Sequence, residues 1–164
     1  MTPIVTPRDF LKLVVEEDLK DFRADQSNVR KAWHSASSLF HQADWVFNAH
    51  RASVITAYGL PAGTKRETEF ADALAAQNDY FQLIRGAANA SKHHTLRKEL
   101  PNSKLQSFQP TAAANTVFSV ITSQGGKTIV SVAIEGSAGS ALELLPVAEK
   151  VFNMWQVLFT KYNW

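Results

Sequence analysis

The sequence contains no cysteine among its 164 residues. Disulfide frameworks, cysteine-ligated zinc sites and thiol nucleophiles are therefore excluded, so a metal site would need histidines and carboxylates. No apolar run approaches the roughly 20 residues that span a bilayer. The first residues also lack the order of a secretory leader, in which a basic stretch precedes an apolar one and a cleavage site. We therefore expect a cytoplasmic protein with no membrane partner.

An excess of one charge sign is also lacking. The formal net charge is only +2, and the basic residues are scattered rather than gathered into the stripe or patch that is typical of nucleic-acid binders. Phosphate-loop, nucleophile-elbow and dinucleotide-binding motifs are absent as well. We therefore expect no cofactor and a mixed, solvated surface, with nucleic acid kept as an alternative partner.

Helical spacing dominates the first part of the chain. Thr6, Pro7 and Asp9 supply an N-cap, a first helical residue and a first-turn acid. Apolar residues then alternate steps of four and three from about residue 29 to residue 50 or beyond, which predicts a second helix with a bundle-type seam. The regularity of this seam indicates a packed core.

Two further helices are predicted beyond residue 63. Thr64 and Glu67 have the spacing of a capping box, and the pattern after them predicts a third helix that runs to about residue 93. A last, aromatic-rich helix is predicted to begin at Pro146, with Ser140 and Glu143 capping a turn before it.

A β-hairpin separates these two helices in the sequence. The stretches 115–123 and 127–135 are rich in Val, Ile and Thr, and Gly125-Gly126 between them suits a two-residue turn. This turn places Thr122 opposite Ile129 and Val120 opposite Ser131. We therefore predict a mainly α fold: one domain over residues 1–164, built as a four-helix up-and-down-type bundle with one antiparallel hairpin, at about 116–135, between helices 3 and 4.

A stripe of polar side chains accompanies the apolar seam of the third helix. Its members are Asn78, Gln82, Arg85, Asn89 and Lys92. The second helix carries Asp44, Asn48 and Arg51 at similar spacing. If the two helices pack antiparallel, these groups are expected to form a semi-buried polar seam that fixes the register of the helices or binds a ligand, since unpaired buried polar groups are costly.

The end of the third helix resembles the HEPN superfamily, helical bundles that include RNases, toxins and nucleotide-binding helpers. The superfamily's catalytic pattern is R-x(4–6)-H, and residues 89–93 (NASKH) are similar to its later part. Ala88 stands where the arginine is expected, and seven residues separate Arg85 from His93. The resemblance implies a metal-independent RNase in which His93 moves a proton while Arg85 or Lys92 stabilises the phosphorane charge.

The histidines do not predict a metal site. His34 and His41 lie two turns apart on the second helix, roughly 10 Å from one another. His41 and Asp44 are better placed, but two ligands do not make a site. Two hypotheses remain open: a non-enzymatic binding or assembly module, and a HEPN-like RNase or nucleic-acid-binding protein that uses residues 85–94.

The hairpin also predicts self-association. Both of its faces carry apolar side chains, and a two-stranded ribbon has two unpaired edges. Exposed apolar surface of this kind marks interaction sites, and the aromatic last helix adds to it. We therefore expect a two-fold homodimer with the hairpin or the last helix in its interface.

Overall fold

The computed structural model describes residues 4–90, 117–124, 127–135 and 140–164. These residues are mainly helical, which confirms the predicted fold class. The helices are α1 (Pro7–Phe10), α2 (Glu16–Ala24), α3 (Val29–Tyr58), α4 (Glu67–Gln77), α5 (Asp79–Ala90) and α6 (Leu144–Tyr162), with a π-helical segment at Leu11–Val15; the strands are β1 (Val117–Gln124), β2 (Lys127–Glu135) and β3 (Ala141–Glu143).

The first 18 helical positions form one unit, residues 7–24, which we call the N-terminal helix. Right-handed helical backbone continues through both ends of the π-helical segment, so α1, this segment and α2 are not separated. Thr6 caps the unit, and its hydroxyl accepts the Asp9 backbone N–H at 3.1 Å. Pro7 is the first helical residue. The predicted helix start is confirmed.

The long helix α3 begins and ends on local signals. Asn28 caps it through the Lys31 backbone N–H, which confirms the start predicted at residue 29. The backbone departs from helical values at His50, where φ is −127°, and resumes as helix up to Tyr58. Gly59 then adopts a left-handed φ of 61° that favours glycine and ends the helix.

The predicted third helix is divided into two, so the prediction of one uninterrupted helix was wrong. Asn78 is extended, with φ −142° and ψ 106°, and its side-chain oxygen accepts the Phe81 backbone N–H at 2.9 Å. An asparagine that bonds its own downstream backbone starts a new helix, which explains the break. The capping box was also wrong: Arg66 is the N-cap residue of α4, and Thr64 donates to Glu69 instead.

The four helical units run alternately up and down; the first is the N-terminal helix, the second α3, the third α4 with α5, and the fourth α6. Contacts near both ends of two neighbouring pairs, the N-terminal helix with α6 and α3 with the third unit, show the antiparallel directions. They are Arg8 with Phe159, Arg23 with Glu149, Phe47 with Phe70 and Phe40 with Phe81. Within the described ranges, no helix is long and apolar enough to cross a membrane.

The three strands form an antiparallel sheet in the order β1-β2-β3. Thr122 pairs with Ile129 and Val120 with Ser131, which confirms the predicted hairpin register. The third strand was not predicted. It leads directly into α6 at Leu144, so the turn and the later helix start expected near Pro146 were wrong. Proline is tolerated there because the first-turn N–H groups need no helical partner.

An aromatic cluster fills the bundle between α3 and the helices α4 to α6. Phe70 is fully buried, and its ring lies near those of Phe47, Tyr58, Trp155 and Trp164, with centroid separations from 4.9 to 6.5 Å. Burial, and to a lesser extent the neighbouring Tyr162, raises the pKa of the Tyr58 hydroxyl above its ordinary value. Each buried aromatic ring contributes both apolar area and ring–ring packing.

Candidate functional site

The polar stripe of the third helical unit is largely engaged in structural bonds. Asn78 starts α5 through the Phe81 N–H. Gln82 is buried, with 8% of its surface exposed. The Arg85 guanidinium lies 2.6 Å from the Asp72 carboxylate of α4. Asn89 is half-buried. Lys92 and His93 lie outside the described residues.

The three predicted polar residues of α3 form bonds within α3 and with the loop that follows it. Asp44 Oδ2 lies 2.7 Å from His41 Nδ1. Asn48 donates its side-chain N–H to the Asp44 backbone carbonyl at 2.8 Å. Arg51 donates to the Thr64 backbone carbonyl, and its guanidinium lies over the ring of Phe47. These bonds position the loop between α3 and α4.

The predicted polar residues of α3 therefore do not bond with the predicted polar residues of α5. The helices α3 and α5 do pack antiparallel, as expected. However, no hydrogen bond or ion pair of Asp44, Asn48 or Arg51 reaches α5 in the part of the chain that the structure describes. Asp72, the partner of Arg85, was missed because it belongs to α4 and meets α5 only after the break at Asn78.

The geometry of the described residues does not support a metal site. His41 and Asp44 do come together, but His34 is exposed two turns away on the same helix. No group of three His, Asp or Glu side chains that could hold a metal ion occurs among the residues described.

Two shallow grooves lie elsewhere on the bundle. The first, which we call the α6 groove, has a volume of about 490 Å³ and is lined by exposed residues of one helix: Asn153, Gln156, Val157, Thr160 and Lys161. Val157 is 62% exposed, more than any other large aliphatic side chain in the described helices. The only signal in the sequence was this single apolar residue on the polar face of α6.

The second groove, which we call the Trp45 groove, has a volume of about 360 Å³ and lies between the N-terminal segment and α3. It is lined by Val5, Pro7, Asp44, Trp45, Asn48 and Ala49. Asp44 and Asn48 were among the predicted site residues, whereas the other four were not. Because the groove forms where two distant segments meet, no local pattern in the sequence indicated it.

The wall of the Trp45 groove is fixed by the cap of the N-terminal helix. Asp9 Oδ2 accepts the backbone N–H groups of Val5 and Thr6 at 3.3 and 3.0 Å and the Thr6 hydroxyl at 2.7 Å. The hydrogen bond from Thr6 is the main cause that lowers the pKa of Asp9 below its ordinary value. The Phe10 ring stacks on Trp45 with a centroid separation of 5.0 Å, which holds α1 against α3.

No protein family matches this chain, and no curated protein or solved structure matches it either.

Proposed function

We propose that this protein is a cytoplasmic, non-enzymatic assembly module that forms a two-fold homodimer through the α6 groove. The observation that carries this proposal is the 62% exposure of Val157 in that groove. Apolar surface that is rimmed by polar residues marks interaction sites, and Val157 is the apolar residue of this groove.

The geometry of the hairpin favours α6 over the hairpin as the interface. Residues 131–134 of β2 are all buried, although successive side chains of a strand point to opposite faces. Both faces of this part of the strand are therefore covered within one chain. The strand is also paired on both edges, with β1 and with β3. Residues 131–134 therefore leave less apolar surface for a second copy than the sequence indicates.

The residues of the α6 groove suit an antiparallel contact with a second copy. A two-fold axis at Val157 brings the two Val157 side chains together and places Asn153 opposite Lys161 of the other copy, since both are four residues from the axis. The two Lys161 side chains are then eight residues apart, about 12 Å along the helix. No like charges meet in this arrangement.

The surroundings of Arg85 support a structural role in place of catalysis. A catalytic cation must be free to stabilise negative charge that develops in the transition state. The charge of Arg85 is already balanced by Asp72 at 2.6 Å, and only 28% of the Arg85 side chain is exposed. This arrangement favours the assembly module over the HEPN-like RNase or nucleic-acid-binding alternative.

Sedimentation equilibrium tests the proposed assembly. We expect a dimeric wild type at tens of micromolar, a monomeric Val157→Lys variant and a dimeric Val5→Lys variant. The control is matched because Val5 is an equally exposed valine, at 70%, on another surface. A monomeric wild type refutes the dimer. If a Val120→Lys, Ile129→Lys double variant is monomeric while Val157→Lys stays dimeric, the interface is at the hairpin instead.

Incubation with mixed RNA tests the enzymatic alternative. We expect the wild type and the His93→Ala variant to leave the RNA equally intact, in the absence of added metal. Cleavage by the wild type that is lost in His93→Ala but kept in a His34→Ala control would overturn the non-enzymatic proposal.

A further inference from the structure

The Trp45 groove presents two side-chain oxygen acceptors, one on Asp44 and one on Asn48. One carboxylate oxygen of Asp44 is bound by His41, while the other accepts no hydrogen bond in the described part of the chain. One side-chain N–H of Asn48 donates to the Asp44 backbone carbonyl, which leaves the side-chain oxygen and the second N–H available. Since the two residues are four apart on a helix, their side chains are neighbours on one face.

A third acceptor lies behind the wall of the groove. Gln42 is fully buried, and its side-chain N–H donates to the Pro7 carbonyl at 3.1 Å. Among the described residues, its oxygen has no hydrogen-bond partner. Gln42 is one helical turn before Trp45 on the same face of α3, so this oxygen adds to the negative electrostatic potential around the groove.

The remaining lining is apolar and aromatic. Val5, Pro7 and Ala49 form aliphatic walls, and Trp45 contributes an indole ring. A negative carboxylate, an amide oxygen and an aromatic ring are together the groups that bind a positively charged nitrogen. Aliphatic walls next to them fit the carbon stem that carries such a nitrogen.

We propose that the Trp45 groove binds a guanidinium or alkylammonium group on a short aliphatic stem. The cation donates hydrogen bonds to the free oxygens of Asp44 and Asn48, and the stem packs against Val5 and Pro7. This site is distinct from the α6 groove and does not depend on self-association. Anions are disfavoured because the Asp44 carboxylate repels them.

Fluorine NMR of protein that contains 5-fluorotryptophan tests the proposal. The chain has four tryptophans, and a Trp45→Phe variant identifies the Trp45 resonance. We expect n-butylguanidinium to shift this resonance in a saturable manner. n-Butylurea has nearly the same shape without the charge and is expected to have no effect. Equal shifts with both compounds, or no saturable shift with the cation, would refute the site.

Charge variants test the assignment of the acceptors. Asp44→Asn is expected to weaken binding by about tenfold or more, because a hydrogen bond to a charged group is lost. Asp21→Asn removes the same charge from the exposed face of α2 and is expected to change nothing. Asn48→Asp adds a carboxylate and is expected to tighten binding, so the test does not depend on loss of function alone. Unchanged affinity in both groove variants would refute the assignment.

The same chemistry has two sources, a free small molecule and an arginine side chain of a peptide. An N-acetylated, C-amidated Gly-Arg-Gly peptide distinguishes them in the same experiment. Tighter binding of the peptide than of n-butylguanidinium identifies a side-chain site, whereas weaker binding identifies a site for free cations. Binding of neither compound would overturn the proposal.

Discussion

The long helix α3 has two buried faces that are built from different chemistry. Towards α4, α5 and α6 it contributes to the aromatic cluster around Phe70, in which rings pack against rings. Towards the N-terminal helix it presents Gln42 and, at helical spacing on the same face, Ser35 and Ser38, all of them buried. Within the part of the chain that the structure describes, the Gln42 side-chain oxygen and the Ser35 hydroxyl have no hydrogen-bond partner.

The two faces of α3 therefore differ in whether they mainly stabilise the fold or mainly position the helices. Buried apolar area and ring–ring packing stabilise a fold without fixing a unique register, and cores tolerate exchange of one apolar residue for another of similar size. A buried polar group without a partner costs about 1–3 kcal/mol. We infer that the aromatic face of α3 supplies most of the stability of the bundle. The face with Gln42 is less stabilising, but it fixes the position of α1, which forms one wall of the Trp45 groove.

Removal of an aromatic side chain from the cluster is expected to have the largest effect. Phe70→Ala deletes a fully buried ring with four aromatic neighbours, so we expect the free energy of unfolding to fall by about 3–5 kcal/mol. Urea denaturation followed by circular dichroism measures it. Phe10→Ala, at a half-buried ring on the polar side of α3, is the matched control and should cost clearly less. Equal losses would contradict the distinction between the two faces.

Replacement of the buried Gln42 amide is expected to raise the free energy of unfolding. Gln42→Met keeps an unbranched side chain of similar volume and removes the unpartnered oxygen. The Pro7 carbonyl still accepts the Leu11 backbone N–H. We therefore expect the free energy of unfolding to rise by about 1 kcal/mol.

The control for that prediction is Gln42→Ala, which leaves a cavity and should lower the free energy of unfolding by roughly 2 kcal/mol. Urea denaturation of both variants decides the question. A Gln42→Met variant that is less stable than the wild type would show that the hydrogen bond to Pro7 outweighs the cost of the unpartnered oxygen.

Features that depend on neighbouring residues could be predicted from the sequence. The Thr6 and Asn28 caps bond to backbone within three residues, and the Gly-Gly pair in the sequence predicts the register that the strands on either side of it adopt. These signals act over short distances, so the local chemistry alone determines them.

Features that depend on distant contacts could not be predicted. The apolar spacing of the third helical unit continues through Asn78, so periodicity alone does not reveal the break. The strand β3 has only three residues and is defined by its pairing with β2. The ion pair of Arg85 with Asp72 and the Trp45 groove both require the packed arrangement of separate elements.

The smallest predicted effect concerns the cap that holds the N-terminal helix on the polar side of α3. Thr6→Ala removes the hydroxyl that bonds both the backbone N–H and the carboxylate of Asp9, and N-cap losses of this kind cost about 1 kcal/mol at neutral pH. The cap also has a pH dependence. Because the hydrogen bond from Thr6 lowers the pKa of Asp9 in the folded state, its contribution is present above the unfolded pKa and disappears as the pH falls through the lower, folded value.

Urea denaturation at pH 7 and at pH 2 measures this dependence. Asp9→Asn is expected to be less stable than the wild type at pH 7, and the difference is expected to narrow at pH 2 because protonation of the wild-type carboxyl weakens its hydrogen bonds. Asp21→Asn serves as the matched control and should show no such convergence, since Asp21 makes no hydrogen bond or ion pair with any residue of the described ranges. A loss of stability in Asp9→Asn that is equal at both pH values would mean that Asp9 acts through packing, and that the cap does not hold the wall of the Trp45 groove through its charge.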